Sequence, residues 1–411
     1  MKVHETLPLV PIAHGDGAWL VDFEGRRYLD AVSSWWVNLF GHRHPRIDAA
    51  VRDQLDSLAH VMLAGFTHRP AVELAERLAA LAPAGLGHAF FASDGAAATE
   101  IALKMSFHFW RNRGQPDKRG FVSLAGGYHG ETIGALAVTD VALFRDVYAP
   151  LLQANAIVPV PDPRQGIGVD AAAAALDAHL AQHARTTAAL ILEPLVQGAS
   201  GMTMYDPRYL QLAREITARH GVHLIADEIM TGFGRTGTMF AWEQAAAPAP
   251  DFMCLSKGIT GGYLPLSCVL TSDDVYAAFY ADDTARGFLH SHSYTGNALA
   301  CAAALAVLDI FRDDDVIARN RDRADTWADA LAPVATHPRV RNFRQRGMIL
   351  AWDVSDAPSN FARWFFAEAL AAGLLLRPIG STVYVMPPYV VTASEMTALA
   401  ASVVAILDRA A

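Results

Sequence analysis

Lys257 and Asp227 carry the most pointed chemistry in this sequence. The chain has 33 lysine and arginine residues, of which only Lys2, Lys104, Lys118 and Lys257 are lysine. Where charge alone is needed, this protein writes arginine. Lys2 near the start, Lys104 in an alanine-rich helical stretch and Lys118 in a polar Gly/Pro loop read as solvated cations. Lys257 instead follows the apolar run Phe252-Met253-Cys254-Leu255-Ser256 and precedes Gly258-Ile259-Thr260-Gly261-Gly262. An amine at the end of a buried strand, facing a glycine-rich turn, can be desolvated and can form a Schiff base with a carbonyl. Arginine cannot do this. Asp227 closes another apolar run, 222–226, with Glu228 directly after it. Taken alone it reads as a solvated strand-end acid. At the carboxyl edge of a parallel sheet, however, it stands where α/β folds bind ligands. Two consecutive strand ends can bring this carboxylate and the Lys257 amine to opposite ends of one flat cofactor.

Four further stretches add weaker signals. Ser93-Asp94-Gly95-Ala96-Ala97-Ala98-Thr99-Glu100 is a small-residue turn opening a helix, which can offer backbone N–H groups to a phosphate or be an ordinary cap. Gly126-Gly127-Tyr128-His129-Gly130 holds an aromatic side chain between glycines, able to lie against a ring or only to plug a turn. In Ser33-Ser34-Trp35-Trp36-Val37-Asn38 two adjacent indoles point different ways, so at least one should line a cleft or an interface, with core filling as the alternative. Leu376-Arg377-Pro378-Ile379-Gly380 sends an arginine out of an apolar run, to clamp a carboxylate or to form a structural ion pair.

The elements that must position these residues alternate short apolar runs with longer helical patterns, which argues for α/β layering. Strands are predicted at 89–92, 121–124, 188–192, 222–226, 252–255 and 266–270. Helices are predicted at 96–110, 171–183 and 207–220, the last stopped by Gly221. Residues 18–21 and 28–30 flank Gly25 as a small hairpin. After a long helix at 298–311, helices mix with strands at 348–354 and 383–386. The pattern implies a large domain over 48–300 with a mostly parallel central sheet, and a small α+β domain from both termini, 1–47 and 301–411.

With 411 residues and 52% hydrophobic content there is ample material for a large core. A net charge of −9 and the lack of a basic patch argue against nucleic acid. Cys254, Cys268 and Cys301 sit in apolar contexts without metal or redox spacing and read as reduced core residues. With no signal peptide and no apolar stretch of about 18 residues, the expectation is a soluble cytoplasmic protein with no membrane contact. His42-x-His44 and His290-x-His292 lack the carboxylate setting of a metal hydrolase, so no metal is expected.

Together and in this order, these stretches resemble class III, fold type I, pyridoxal-phosphate aminotransferases. Residues 224–237 with 256–266 (SKGITGGYLPL) carry the most specific part of the likeness, which runs across nearly the whole chain. The Trp pair, His290-Ser291-His292-Ser293-Tyr294-Thr295-Gly296-Asn297, and Arg377-Pro378 with Met386-Pro387-Pro388 are similar to the biotin-pathway branch. That branch aminates 8-amino-7-oxononanoate with S-adenosylmethionine, or in related enzymes lysine, as donor. The resemblance implies a homodimer with shared active sites and pyridoxal 5′-phosphate as cofactor. It implies that Lys257 holds the cofactor aldehyde and moves a proton, and that Asp227 pairs with the pyridine nitrogen. Gly95, Ala96 and Ser293 from the other subunit would hold the phosphate. Tyr128 and Ile229 would cover the two ring faces. Trp35, Trp36, Tyr128, Gly262 and Ser291 would line the substrate channel, with Arg377 on the distant carboxylate. Two departures stand out. The Trp-His-Pro-aromatic-Thr segment of relatives has no counterpart where the chain opens at Met1-Lys2-Val3-His4. In Ser93-Asp94-Gly95-Ala96 hydroxyls common in relatives are lost, which shifts phosphate binding toward backbone donors and Ser293. Alternatives are another ω-amine or diamine aminotransferase of this class, and an aminomutase or decarboxylase on the same fold.

Overall fold

Four of the seven strands of the central sheet are buried along their whole length, which is why they read as continuous apolar runs. The computed structural model of the protein describes residues 2–410. From one edge the sheet runs His88–Ala92, Ser267–Thr271, Phe252–Leu255, His223–Asp227, Thr187–Leu192, Gly120–Leu124, Ala156–Val158. From Phe252–Leu255 to Ala156–Val158 every neighbouring pair is parallel. Ser267–Thr271 alone runs against both its neighbours. The reason is the short connection from Leu255 to Ser267, which can turn the chain back but cannot accommodate the crossover helix of a parallel pair. That connection is the segment that carries Lys257. The fold is therefore the α/β, mostly parallel architecture expected of fold type I.

The Gly95–Asn112 helix packs on this sheet through Ala98, Ile101, Ala102, Met105 and Phe109. Its cap is Asp94, whose Oδ1 accepts the Ala97 N–H at 2.9 Å. The strands of the two main smaller sheets come from both ends of the chain. Ile12–Asp16, Trp19–Asp22 and Arg27–Asp30 form an antiparallel meander, and Leu374–Leu375 adds in parallel to its edge, pairing Leu29 with Leu374 and Asp30 with Leu375. Val340–Arg346, Ile349–Val354 and Thr382–Val385 form the other. The Ala298–Asp313 helix, capped by Asn297, is buried along most of its length. Among the described residues no helix is long and apolar enough to cross a membrane.

Lys118 corrects one expectation. Far from being solvated, it is buried, and its Nζ donates to the carbonyls of Ala184, Thr187 and Gly221 at 2.7, 3.1 and 2.8 Å. The ammonium also lies 4.4 Å from the Trp110 ring centre. Burial pulls its pKa down to about 8. Two of these acceptors lie just past the ends of the Val169–His183 and Arg208–Arg219 helices, where a cation meets the negative ends of the helix dipoles. Lys118→Met keeps the stem but strands three acceptors. It should lower stability by about 1–3 kcal/mol, read as a shift in urea midpoint, with the activity of the folded fraction unchanged.

Candidate active site

Asp227 and Lys257 come together because their strands are parallel neighbours, with Asp227 in register with Cys254. Asp227 is buried. Its Oδ1 accepts the Ile229 N–H at 3.1 Å, and its Oδ2 accepts from His129 Nδ1 at 2.7 Å. Lys257 starts a short 3-10 turn with a left-handed backbone, φ +46°, uncommon for a side chain with a Cβ and typical of functional sites. Burial pushes its amine pKa down, and the negative charges of Asp227 and Glu193 push the other way. A lowered pKa frees the nitrogen lone pair for attack on a carbonyl.

Both residues border a cavity of about 280 Å³ that also meets Trp36, Gly95, Ala96, Tyr128, Glu193 and Ile229. The first N–H groups of the Gly95–Asn112 helix have no partner within the helix and give the cavity a positive end. The chain fits closely here. A Cβ on Gly130 would lie 2.6 Å from the Ala96 Cβ, and φ there is +125°. Glycine therefore lets the Tyr128-His129-Gly130 loop press against the helix start. Tyr128 is half-buried; its hydroxyl donates to Glu131 Oε1 at 2.9 Å and its backbone N–H to Glu193 Oε2 at 3.0 Å. Glu193 also accepts the Gly198 N–H at 2.9 Å. Burial pushes the Glu193 pKa up to about 7, with the charge of Asp227 adding to the rise and His129 opposing it.

The two tryptophans part company. Trp36 is buried, its ring centre 5.1 Å from Lys257 Nζ and its Nε1 donating to the Tyr384 hydroxyl at 3.0 Å. Trp35 is 58% exposed and does not reach the cavity. The guanidinium of Arg377 instead lies 4.8 Å from its ring centre and 5.4 Å from that of Phe366. Arg377 is exposed and has no ion pair among the described residues. Ser33, Ser34, Trp35 and Trp36 all have positive φ, at 52°, 46°, 72° and 72°. They form a left-handed turn at a cost of roughly 1–2 kcal/mol per residue.

Like Trp35 and Arg377, three further expected site residues lie outside the cavity. Ser291 and Ser293 are exposed in a loop outside the cavity, with the Ser293 carbonyl accepting from His60 Nε2. Gly262, φ +88°, does not line the cavity; a Cβ there would lie 3.0 Å from Asn38 Cα, so it backs the loop that follows Trp36. Two residues were not singled out from the sequence, His129 and Glu193. His129 was visible as the residue after Tyr128 in the glycine-flanked stretch, but its pairing with Asp227 depends on the loop path. Its Nε2 is buried without a partner among the described residues.

An aromatic aldehyde with a ring nitrogen and a phosphate suits this donor set. The cavity offers an amine of lowered pKa, a buried acid backed by a histidine, and a helix N-terminus for the anion. A larger cavity, about 670 Å³, lies against the outer part of the same helix beside Lys104, Arg119 and Phe121, and holds none of these groups.

The class III aminotransferase family profile matches residues 1–407. Adenosylmethionine-8-amino-7-oxononanoate aminotransferase of Helicobacter pylori is 44% identical, with 100% of this chain and 94% of that protein covered. Among solved structures, the enzyme of that same name from Methanocaldococcus jannaschii superposes with a TM-score of 0.93 at 32% identity, covering 100% of this chain and 95% of that one. An amine transaminase from an uncultivated Pseudomonas species, solved in its PLP-bound form, gives 0.89 at 33% identity, covering 99% and 96%. The chain belongs to the class III aminotransferases. It is an enzyme of the pyridoxal-phosphate-dependent transaminase type.

Proposed function

We propose that this enzyme transfers an amino group from S-adenosylmethionine to 8-amino-7-oxononanoate, giving 7,8-diaminononanoate in biotin biosynthesis. The 44% identity with the Helicobacter pylori enzyme over the full chain is the observation that carries this reading. The site suits such an acceptor. A long methylene chain needs apolar walls, to which Trp36 would contribute inside the cavity, and its distant carboxylate needs a cation, a role open to Arg377 at the surface beside the exposed Trp35.

Each residue then has a stated task. Lys257 Nζ would hold the cofactor aldehyde and would then be placed to carry a proton at the substrate carbon. Asp227, oriented by His129 Nδ1–H and the Ile229 N–H, would pair with the ring nitrogen. When bound, the cofactor supplies a protonated ring that accepts the electrons of a broken C–H bond. Gly95 and Ala96 N–H groups would hold the phosphate, and Tyr128 and Ile229, which also line the cavity, would flank the ring. Ser293, exposed and outside its own cavity, fits the role of completing the phosphate site of a second copy in a cytoplasmic homodimer.

The direct test incubates purified protein and cofactor with the oxo acid and either S-adenosylmethionine or lysine. Formation of the diamine with S-adenosylmethionine supports the full reading. Diamine with lysine alone replaces the donor, and no diamine with either overturns the proposed acceptor. In the active pairing, Arg377→Ala should raise the acceptor KM about 10- to 100-fold with little change in kcat, the effect of losing one charged hydrogen-bond partner. Steady-state kinetics at varied acceptor concentration checks this.

A further inference from the structure

We propose that Asp30 is a positioning residue for the active site, acting through the left-handed turn at Ser33–Trp36. Asp30 ends the Arg27–Asp30 strand and is fully buried. Its carboxylate accepts the Ser34 N–H at 2.8 Å, the Ser34 hydroxyl at 2.7 Å and His42 Nε2 at 3.2 Å. Two of these three contacts go to a residue whose φ of +46° is unfavourable for any side chain with a Cβ. No glycine or asparagine occupies the turn, so the residues themselves do not favour this backbone. Something outside must hold it, and Asp30 is the group that grips it at its second residue.

The neighbouring contacts fix the exit of the turn in the same way. Ser33 Oγ donates to the Met386 carbonyl at 2.8 Å. The buried guanidinium of Arg235 has no carboxylate partner among the described residues and donates to the Asn38 carbonyl at 2.8 Å and the Pro387 carbonyl at 3.0 Å. Asn38 Nδ2 in turn donates to His42 Nδ1 at 3.2 Å, closing a loop back to Asp30. The product of this frame is the orientation of two indoles. Trp36 is set over the Lys257 amine and Trp35 under Arg377. Asp30 also pairs with Leu375, two residues before Arg377, so the turn and the arginine leave the same strand pair together. Asp30 touches neither the cavity nor Arg377; it sets where the groups that do so stand.

The test exploits the backbone. In Asp30→Ala the grip is lost, and kcat/KM for any amino acceptor that the parent turns over should fall about 10²-fold, the scale of a small misplacement in an active site. The near-ultraviolet circular dichroism of the cofactor-free variant should change at the same time, in the tryptophan region that Trp36→Phe identifies. Adding Ser34→Gly supplies a residue that adopts positive φ without penalty. The double variant should recover at least about ten-fold of the lost kcat/KM, about 1.4 kcal/mol, and the parental tryptophan signal. A purely structural loss at Asp30 would not be repaired by removing a second side chain. Unchanged kinetics in Asp30→Ala, or no recovery in the double variant, overturns the proposal. If Asp30→Ala does not yield folded protein, Ser34→Ala and Ser34→Gly are compared in the parent. Both lose the hydroxyl contact, but only alanine keeps the backbone penalty, so alanine should be the slower; equal rates overturn the proposal.

Discussion

Lys257→Ala should abolish transamination, lowering kcat by about 10⁴-fold or more, since in the proposed reading one side chain is both attachment point and proton carrier. Lys257→Arg should be no better, although it keeps the positive charge. A guanidinium does not deprotonate in the relevant range and cannot attack an aldehyde. The check separates chemistry from folding. Borohydride treatment of the cofactor-loaded parent should add a pyridoxyl group to the peptide that contains Lys257, and neither variant should acquire that mass. Modification at another lysine would contradict the assignment outright. With so few lysines in the chain, a peptide digest resolves the question cleanly.

The second large effect is expected at Asp227. Asp227→Asn keeps the shape and can still accept the Ile229 N–H, but it removes the negative charge from the floor of the cavity. Loss of a fixed charge aimed at a developing one should lower kcat by about 10²–10³-fold. There is a companion effect in the cofactor-free protein. Burial already lowers the Lys257 pKa, and the charge of Asp227 partly opposes that shift. Removing the charge leaves burial less opposed, so the amine should lose its proton at a still lower pH. Labelling of Lys257 by an amine-reactive reagent, followed against pH, should therefore show its midpoint move to lower pH. A midpoint that stays in place or rises would contradict the electrostatic role given to Asp227.

Much of the site could be read directly from sequence, and the reason is local. Asp227 and Lys257 each close an apolar run, and burial on both faces of the sheet leaves few other places for polar groups to appear. The helix at Gly95 announced itself through its cap, Asp94. What escaped detection depends on tertiary paths. The Asp227–His129 contact joins a strand end to a loop 98 residues earlier. Lys118 looked solvated because its surroundings in sequence are polar, yet its three acceptors lie 66, 69 and 103 residues away. The left-handed turn was invisible because Ser-Ser-Trp-Trp carries no residue that favours it. The outer strand Ile12–Asp16 was missed for a different reason: it is mostly exposed, so it lacks the apolar alternation by which strands are recognised. The strand Ser267–Thr271 was read at 266–270, but its reversed direction, set by the short connection after Leu255, was not.

The bond between Trp36 and Tyr384 spans 348 residues, and the one between Ser33 and Met386 spans 353. During synthesis the ribosome must therefore reach residue 386 before that wall can be assembled. The strands carrying Asp227 and Lys257 emerge well before it. A nascent chain stalled short of residue 384 would carry the reactive pair with Trp36 present but unanchored, so the pocket is finished only after the Thr382–Val385 strand and Met386 have been made.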